Sequence, residues 1–572
     1  MRSIRTGRLM FLGSMICLFA LLIFVRLYYL QVMRNQDFLD QADRQYVSKG
    51  QSIFNRGTIF FSPRIGGPIS AATLRSGYLV AINPKQVEHP EDVFNALSGI
   101  VKVDETNLLA SLARVNDTYR EIAHRIDEKA KDRIEALNFK GVNQYVERWR
   151  SYPGGKLASN VLGFVGYAND GTTLEGRYGL EKYYNDALSR SSSGIYVNFF
   201  AAIFSGVGDA LFKDERSEGD IVTTIEPSVQ AELESQIALT QKTWNSDLTG
   251  GIVMDPTTGE IYAMGVSSDF DPNDFSKVKD PGVFGNPIVD RVYEMGSIIK
   301  PLAMAAGLDT GAVTATTTYM DAGSVIVNGA KISNYDGKAR GLSDMQKVLN
   351  QSLNVGMAFV TQKLGNQRLT DYFTALGFGK ETGIDLPGEV HGLVSNLQSP
   401  RDIEHVTASF GQGIALTPIE TIRALSALGN GGFLPEPHIV KRIEYTSGLN
   451  KTIAHDGSAQ RIYKLETSEE ITRMLVRVVD EALLGGTVKQ PRYTIAAKTG
   501  TAQMALENGK GYYSDRYLHS FFGYFPAYKP RFIVFLYTVY PKGAEYASHT
   551  LTAPFIDMVK FLLNYYEVPP DR

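Results

Sequence analysis

Met295-Gly296-Ser297-Ile298-Ile299-Lys300-Pro301-Leu302-Ala303-Met304-Ala305-Ala306-Gly307 is the stretch on which the reading of this chain turns. A Ser and a Lys three residues apart open an apolar, helix-forming run with Pro in its first turn and Gly as a stop, which predicts a helix carrying Ser297 at its N-terminus. Residues i and i+3 share a helix face, so the Lys300 ammonium can reach the Ser297 oxygen. A lysine serves as a base only when its charged form is destabilised, either by burial or by a second cation nearby. Backbone N–H groups at the helix start would meet a developing oxyanion.

Two further motifs follow in order, Ser352-Leu353-Asn354 and Lys498-Thr499-Gly500. A second Ser-x-x-Lys, Ser276 to Lys279, lies in the polar, turn-rich stretch 271–280 and reads as a surface loop. Residues 492–501, with small and β-branched side chains, read as a strand. At a sheet edge it could pair with an extended peptide, Gly500 permitting close backbone approach, while Lys498, Thr499 and Thr501 hold a substrate carboxylate. Lys498 is then the second cation beside Lys300. Each motif alone is weak; the ordered set is the signature of serine acyltransferases that use Lys in place of His.

The set resembles the class B, monofunctional penicillin-binding proteins, the D,D-transpeptidases of bacterial cell-wall synthesis. The resemblance extends to the hairpin-like stretch 251–264, to Pro387-Gly388-Glu389, Ser409-Phe410-Gly411-Gln412-Gly413 and Phe522-Gly523-Tyr524-Phe525-Pro526, and in the N-terminal half to Arg56-Gly57, Arg150-Ser151-Tyr152-Pro153 and Gly176-Arg177-Tyr178-Gly179-Leu180-Glu181. Met295 departs from the Pro usual before Gly296, and 59–64 lacks the acidic and Asn residues common there. The resemblance implies an α+β fold: an N-terminal transmembrane helix, an elongated α+β pedestal, and a C-terminal penicillin-binding transpeptidase domain whose antiparallel sheet is flanked by helices. It implies that Ser297, activated by Lys300, attacks the carbonyl between the two terminal D-alanines of a stem peptide, with the N–H groups of Ser297 and Thr501 as oxyanion donors. Ser352 would relay a proton to the leaving amine, and Asn354 would bond the substrate amide and Lys300. An amine of a neighbouring stem, or water, then attacks the acyl-enzyme. β-Lactams would acylate the same serine and persist, since no dedicated Glu deacylation base is discernible. No cofactor or metal is implied, and the eight His show no ligand spacing. The implied partner is a membrane glycan polymerase of the shape, elongation, division and sporulation (SEDS) family. Ser352-Leu353-Asn354-Val355-Gly356, preceded by Gly341-Leu342-Ser343-Asp344, is more similar to septal, division-type enzymes than to the elongation type.

With 572 residues, 44% hydrophobic, and a formal net charge of -3, the chain can bury two or three cores and lacks the basic excess of nucleic-acid binders. Residues 9–25, extendable to 30, are apolar and long enough to span a bilayer if Arg26 snorkels. Arg2, Arg5 and Arg8 precede them, which keeps the N-terminus cytoplasmic and exports the rest to the outer face of a bacterial membrane. No small-x-small cleavage site follows, so the expectation is an uncleaved anchor. Cys17, the only cysteine, falls inside that span, which excludes disulfides and thiolate chemistry in the exported part. The expected division is therefore an anchor at 1–30, a pedestal at 31–215 and a catalytic domain at 216–572, with 213–220 as a charged linker. The charged stretch 104–140 reads as helix-like with a solvated face. The apolar segment 194–212 leaves three readings open: core or hinge packing, a membrane-surface or partner-facing helix, or a second span, against which Asn198, Asp209 and three glycines speak.

Two other function classes share some of these features. A β-lactamase or β-lactam sensor would carry the same trio without the long N-terminal module. A non-catalytic cell-wall scaffold would have little use for three intact motifs.

Overall fold

The computed structural model describes residues 54–572 apart from 113–116, 169, 172, 191–217, 447, 449, 454–459 and 507–510, and before residue 54 only Met15 and Phe19. The expected anchor with Cys17, the segment 194–212 and most of the linker lie outside the described residues. Among the described residues no helix is long and apolar enough to cross a membrane.

The catalytic half is built from helix α1 (Pro227–Trp244), strands β1 (Leu248–Met254) and β2 (Ile261–Val266), helices α2 (Lys300–Asp309), α3 (Met345–Asn350) and α4 (Asn354–Leu364), strands β3 (Ala496–Ala505), β4 (Tyr512–Phe525) and β5 (Phe532–Val539), and helix α5 (Thr552–Tyr565). The strands form one antiparallel sheet in the order β3-β4-β5-β1-β2, so the first and last strands of the half meet at its centre. Helices cover both faces. Val253, Phe521, Phe525, Phe532, Val534 and Leu536 pack on α1 and α5, whereas Ile252, Phe522, Tyr524, Ile533, Phe535 and Tyr537 face the internal helical layer. A strand buried on both faces has no polar side to show, which is why 532–537 is a continuous apolar run and not an alternating one.

Helix α2 lies inside that layer, buried at every position from Lys300 to Gly307. A helix that is apolar all round can only be a core helix, and Lys300 is carried into the interior by the sequence that follows it. Gly307 does not stop the helix, which continues to Asp309; a Cβ there would lie 3.0 and 3.1 Å from Val313 and Val360, so the glycine admits close packing. Ser276 sits on an exposed 3₁₀ turn, Phe275–Lys277, as a surface residue.

By its contacts the chain forms two compact units, Arg75–Trp149 and Asn55–Leu74 with Arg150–Arg572. In the first, the C-terminal part of strand Ile69–Ile82 pairs with Arg120–Ile126, and helices Pro90–Ser98, Glu105–Leu112 and Glu128–Ala136 bury Val93, Leu97, Leu108 and Ile134 with Val80 and Ile82. The stretch 104–140 is thus not one helical segment. Ile122, Ala123 and Ile126 are buried amid charged neighbours, and strand pairing overrides what the charge pattern suggests.

In the second unit, Ile59–Phe61 lies parallel to Gly219–Thr223, which pairs in turn with Val440–Tyr445. Beside it Glu181, fully buried, receives Arg56 Nε at 2.6 Å and Arg150 Nε at 2.5 Å, with the Tyr152 hydroxyl at 3.3 Å. Arg56 also donates to the Glu181 carbonyl at 2.7 Å, and Arg150 to the Gly57 carbonyl at 2.7 Å. Burial alone would raise the Glu181 carboxyl, but Arg150 and Arg56 outweigh it and hold it below its usual range. This cluster joins three of the short N-terminal motifs and explains their residue types as structural. Glu181→Gln leaves two buried guanidinium groups without an anion, and is expected to cost about 3 to 5 kcal/mol of stability, read as a lowered midpoint in urea unfolding.

Candidate active site

Ser297 lies on a 3₁₀ turn, Gly296–Ile299, that runs directly into α2. Gly296 has φ +65°, and a Cβ there would meet the Thr501 carbonyl at 2.8 Å, so the turn needs glycine on both counts. The turn is tied on two sides: Gly296 N–H donates to the Gly411 carbonyl at 3.1 Å, and Ser520 Oγ donates to the Met295 carbonyl at 2.8 Å. On β3, a Cβ at Gly500 would stand 2.6 Å from the Met295 carbonyl, which fixes how close the strand comes to the Ser297 turn. Strand β3 is the edge of the five-stranded sheet, with Lys498 opposite Phe522 and Thr501 opposite His519 on β4.

Lys300 is 0% exposed and Lys498 3%. Burial first, and the charge of Lys498 second, hold Lys300 well below the ordinary lysine range. Burial brings Lys498 down to about 8. Neither ammonium forms an ion pair with a carboxylate among the described residues. Lys300 Nζ donates to the Ser352 carbonyl at 2.6 Å and to Asn354 Oδ1 at 2.7 Å, and lies 3.2 Å from Ser352 Oγ. A neutral amine has two N–H donors and one lone pair; two carbonyl oxygens and one hydroxyl match that inventory. The i,i+3 spacing lets the amine reach Ser297 Oγ, but the hydrogen bonds it forms among the described residues are to the Ser352–Asn354 loop. Lys498 Nζ donates to the Thr499 carbonyl at 2.9 Å.

Ser352 sits at φ +53°. It occupies the left-handed position that closes α3: its N–H donates to the Leu349 carbonyl at 3.3 Å, and Leu353 N–H to Val348 at 2.9 Å. Glycine is usual at this position, and an L-residue costs roughly 1–2 kcal/mol there. The strained conformation directs both the Ser352 carbonyl and hydroxyl at Lys300. Asn354, the first residue of α4, is fixed by Nδ2 donating to the Ser333 carbonyl at 3.0 Å, and Asn334 Oδ1 accepts from Val355 N–H at 3.2 Å.

Ser297, Ser352, Asn354, Lys498, Thr499 and Thr501 line one cleft of about 960 Å³. Lys300 lies beneath it. The fold therefore brings all three sequence motifs together, with Gly500 shaping the strand and not the wall. Ser333, Phe410, Tyr335, Glu545 and Tyr546 also bear on this site, and sequence reading missed them in that role. Phe410 stood in a quoted motif, and its ring lies 6.0 Å from Lys300 Nζ. The others come from segments with no motif of their own.

The family description "Penicillin binding protein transpeptidase domain" fits residues 249–559, and "Penicillin-binding Protein dimerisation domain" fits 69–201. Stage V sporulation protein D of Bacillus subtilis is 32% identical over 509 residues, covering 85% of this chain and 75% of that one. A peptidoglycan D,D-transpeptidase FtsI homolog of Mesostigma viride is 28% identical over 572 residues, covering 95% and 93%. The crystal structure of penicillin binding protein 3 from Mycobacterium tuberculosis in complex with aztreonam superposes with TM-score 0.65 at 26% identity, covering 75% of this chain and 92% of that one.

Two consequences of the geometry are measurable. A charged Lys300 cannot accept a proton, so reaction of Ser297 with a neutral fluorophosphonate should speed up as pH rises through the Lys300 titration. Lys498→Gln removes the like charge that helps lower Lys300, and the acid limb of that profile should move to higher pH. Ser352→Gly relieves the left-handed strain and should stabilise the domain to thermal unfolding by about 1 kcal/mol, while slowing the same reaction through loss of the hydroxyl.

Proposed function

The chain belongs to the penicillin-binding protein transpeptidase family, and from that membership we infer that it is a serine D,D-transpeptidase that cross-links peptidoglycan stem peptides and is a target of β-lactams. Ser297 Oγ attacks the carbonyl between the two terminal D-alanines, and the oxyanion is met by the N–H groups of Ser297 and Thr501. Lys300 takes the proton as the C–O bond forms, Ser352 Oγ passes one to the leaving amine, and D-alanine departs. Asn354 holds the substrate amide, and Lys498, Thr499 and Thr501 receive the terminal carboxylate. An amine of a second stem then displaces Ser297, or water does. The observation that carries this reading is the buried Lys300, without a carboxylate partner among the described residues and with its amine against Ser352 and Asn354.

The chain acts in the septal synthesis of cell division, a reading supported by its FtsI-named relative and by the surroundings of Ser352. Residues 1–30 are its single membrane anchor with the N-terminus cytoplasmic, 31–215 its pedestal, and 216–572 its catalytic domain on the outer face. A SEDS-type glycan polymerase is the partner that supplies strands to cross-link.

Intact-mass analysis and peptide mapping of the full chain in detergent, after incubation with a fluorescent penicillin, test the assignment. A persistent adduct on Ser297 is expected, lost in Ser297→Ala, retained in Ser276→Ala, and formed at least about 100-fold more slowly in Lys300→Ala. An adduct mapped to Ser276, or one released rapidly as hydrolysed penicillin, would refute it.

A further inference from the structure

The cleft that holds Ser297 carries two kinds of charge. Its cations are Lys331 and Lys498, and its one carboxylate, among the described lining residues, is Glu545. Glu545 is exposed and forms no ion pair with a described residue. It stands two residues before Ala547, whose N–H donates to Thr501 Oγ1 at 3.1 Å, so the backbone beside it is pinned to the strand of the Lys-Thr-Gly motif. Tyr335, Tyr517, Tyr546 and His549 line the same wall. Tyr335 and Tyr546 meet edge to face at 5.9 Å, and Tyr546 and His549 at 6.1 Å. Glu545 is the chain neighbour of Tyr546, and its carboxylate is the first cause that pushes the Tyr546 phenol up to about 12.

A carboxylate with several aromatic rings beside it is the chemistry that selects an alkylammonium, through charge and through the ring faces. The carboxylate-binding lysine and threonines have no use for such a group, and the first half of the reaction consumes no amine. The second half does: its acceptor amine arrives protonated at neutral pH.

Resting on the transpeptidase reading, we propose that Glu545, with Tyr335 and Tyr546, forms the subsite that captures the alkylammonium of the acceptor stem. Held there, the ammonium releases one proton to solvent. The free amine forms the C–N bond to the acyl carbon, and its second proton goes to Ser297 Oγ as the ester C–O bond breaks. Glu545 thereby sets the partition of the acyl-enzyme between aminolysis and hydrolysis.

The partition can be measured within one reaction, using the full chain, a thioester donor and two acceptors: a lysine-containing tripeptide, charged at neutral pH, and hydroxylamine, which is uncharged there. Glu545→Gln should lower the transfer-to-hydrolysis ratio with the tripeptide by about fivefold, and Glu545→Lys by more, with little change for hydroxylamine. An unchanged tripeptide ratio would overturn the subsite, and so would an equal fall for both acceptors, which would mean a general effect on cleft shape. A wild-type chain that takes no fluorescent penicillin on Ser297 would overturn the underlying reading, and this control separates the two failures.

Discussion

Two buried lysines meet at one cleft with no carboxylate among the described residues against either, and the arrangement of the catalytic half follows from that constraint. A lone buried lysine would ordinarily be neutralised by pairing with an acid. Here the neighbour is another lysine, and burial together with that charge pushes Lys300 toward its neutral form. Keeping water from Lys300 takes a helix buried on every side, which takes a helical layer on one face of the sheet, which takes strands apolar on both faces. The remaining requirement is a set of partners suited to a neutral amine: the Ser352 carbonyl, the Asn354 side-chain carbonyl, and the Ser352 hydroxyl.

Those partners come at a local cost. Ser352 holds a left-handed conformation at the end of a helix where glycine would rest without strain. A glycine would keep the turn and the carbonyl but lose the hydroxyl, so the strain belongs to the site's chemistry and not to the fold. The opposite holds for Glu181, whose two arginines and tyrosine are buried in a region with no bearing on the cleft's lining. That cluster binds segments distant in sequence, and its specific residue types reflect the geometry of a carboxylate bridging two guanidinium groups.

How much of this was legible in the sequence depended on whether the determinant was local. The three motifs, the edge strand and the hairpin at 251–264 follow from short-range patterns and were readable. Helix α2 was readable as apolar, though not its continuation through Gly307, because the close contacts with Val313 and Val360 arise only in the folded layer. The strand Arg120–Ile126 was hidden because its three buried residues are interleaved with Arg120, Glu121, His124 and Arg125, and pairing decides its state. The bonding of Lys300 to Ser352 and Asn354 was not readable either, since i,i+3 proximity sets what a side chain can reach and tertiary partners set where it goes. Ser333, Tyr335, Glu545 and Tyr546 enter the cleft through topology alone, from segments whose residues carry no pattern.

The close backbone contacts around Ser297 have a consequence for heredity. Gly296 and Gly500 leave no room for a Cβ, Gly411 accepts the turn's N–H, and Ser520 holds the Met295 carbonyl. Under selection by an inhibitor that imitates the substrate, viable variation at these positions is nearly closed, because each change moves the nucleophile itself. Adaptive substitutions must come instead from rim side chains such as Tyr517 and His549, whose replacement reshapes the entrance while the turn stays still. The mutational routes open to such a lineage are therefore written in its backbone.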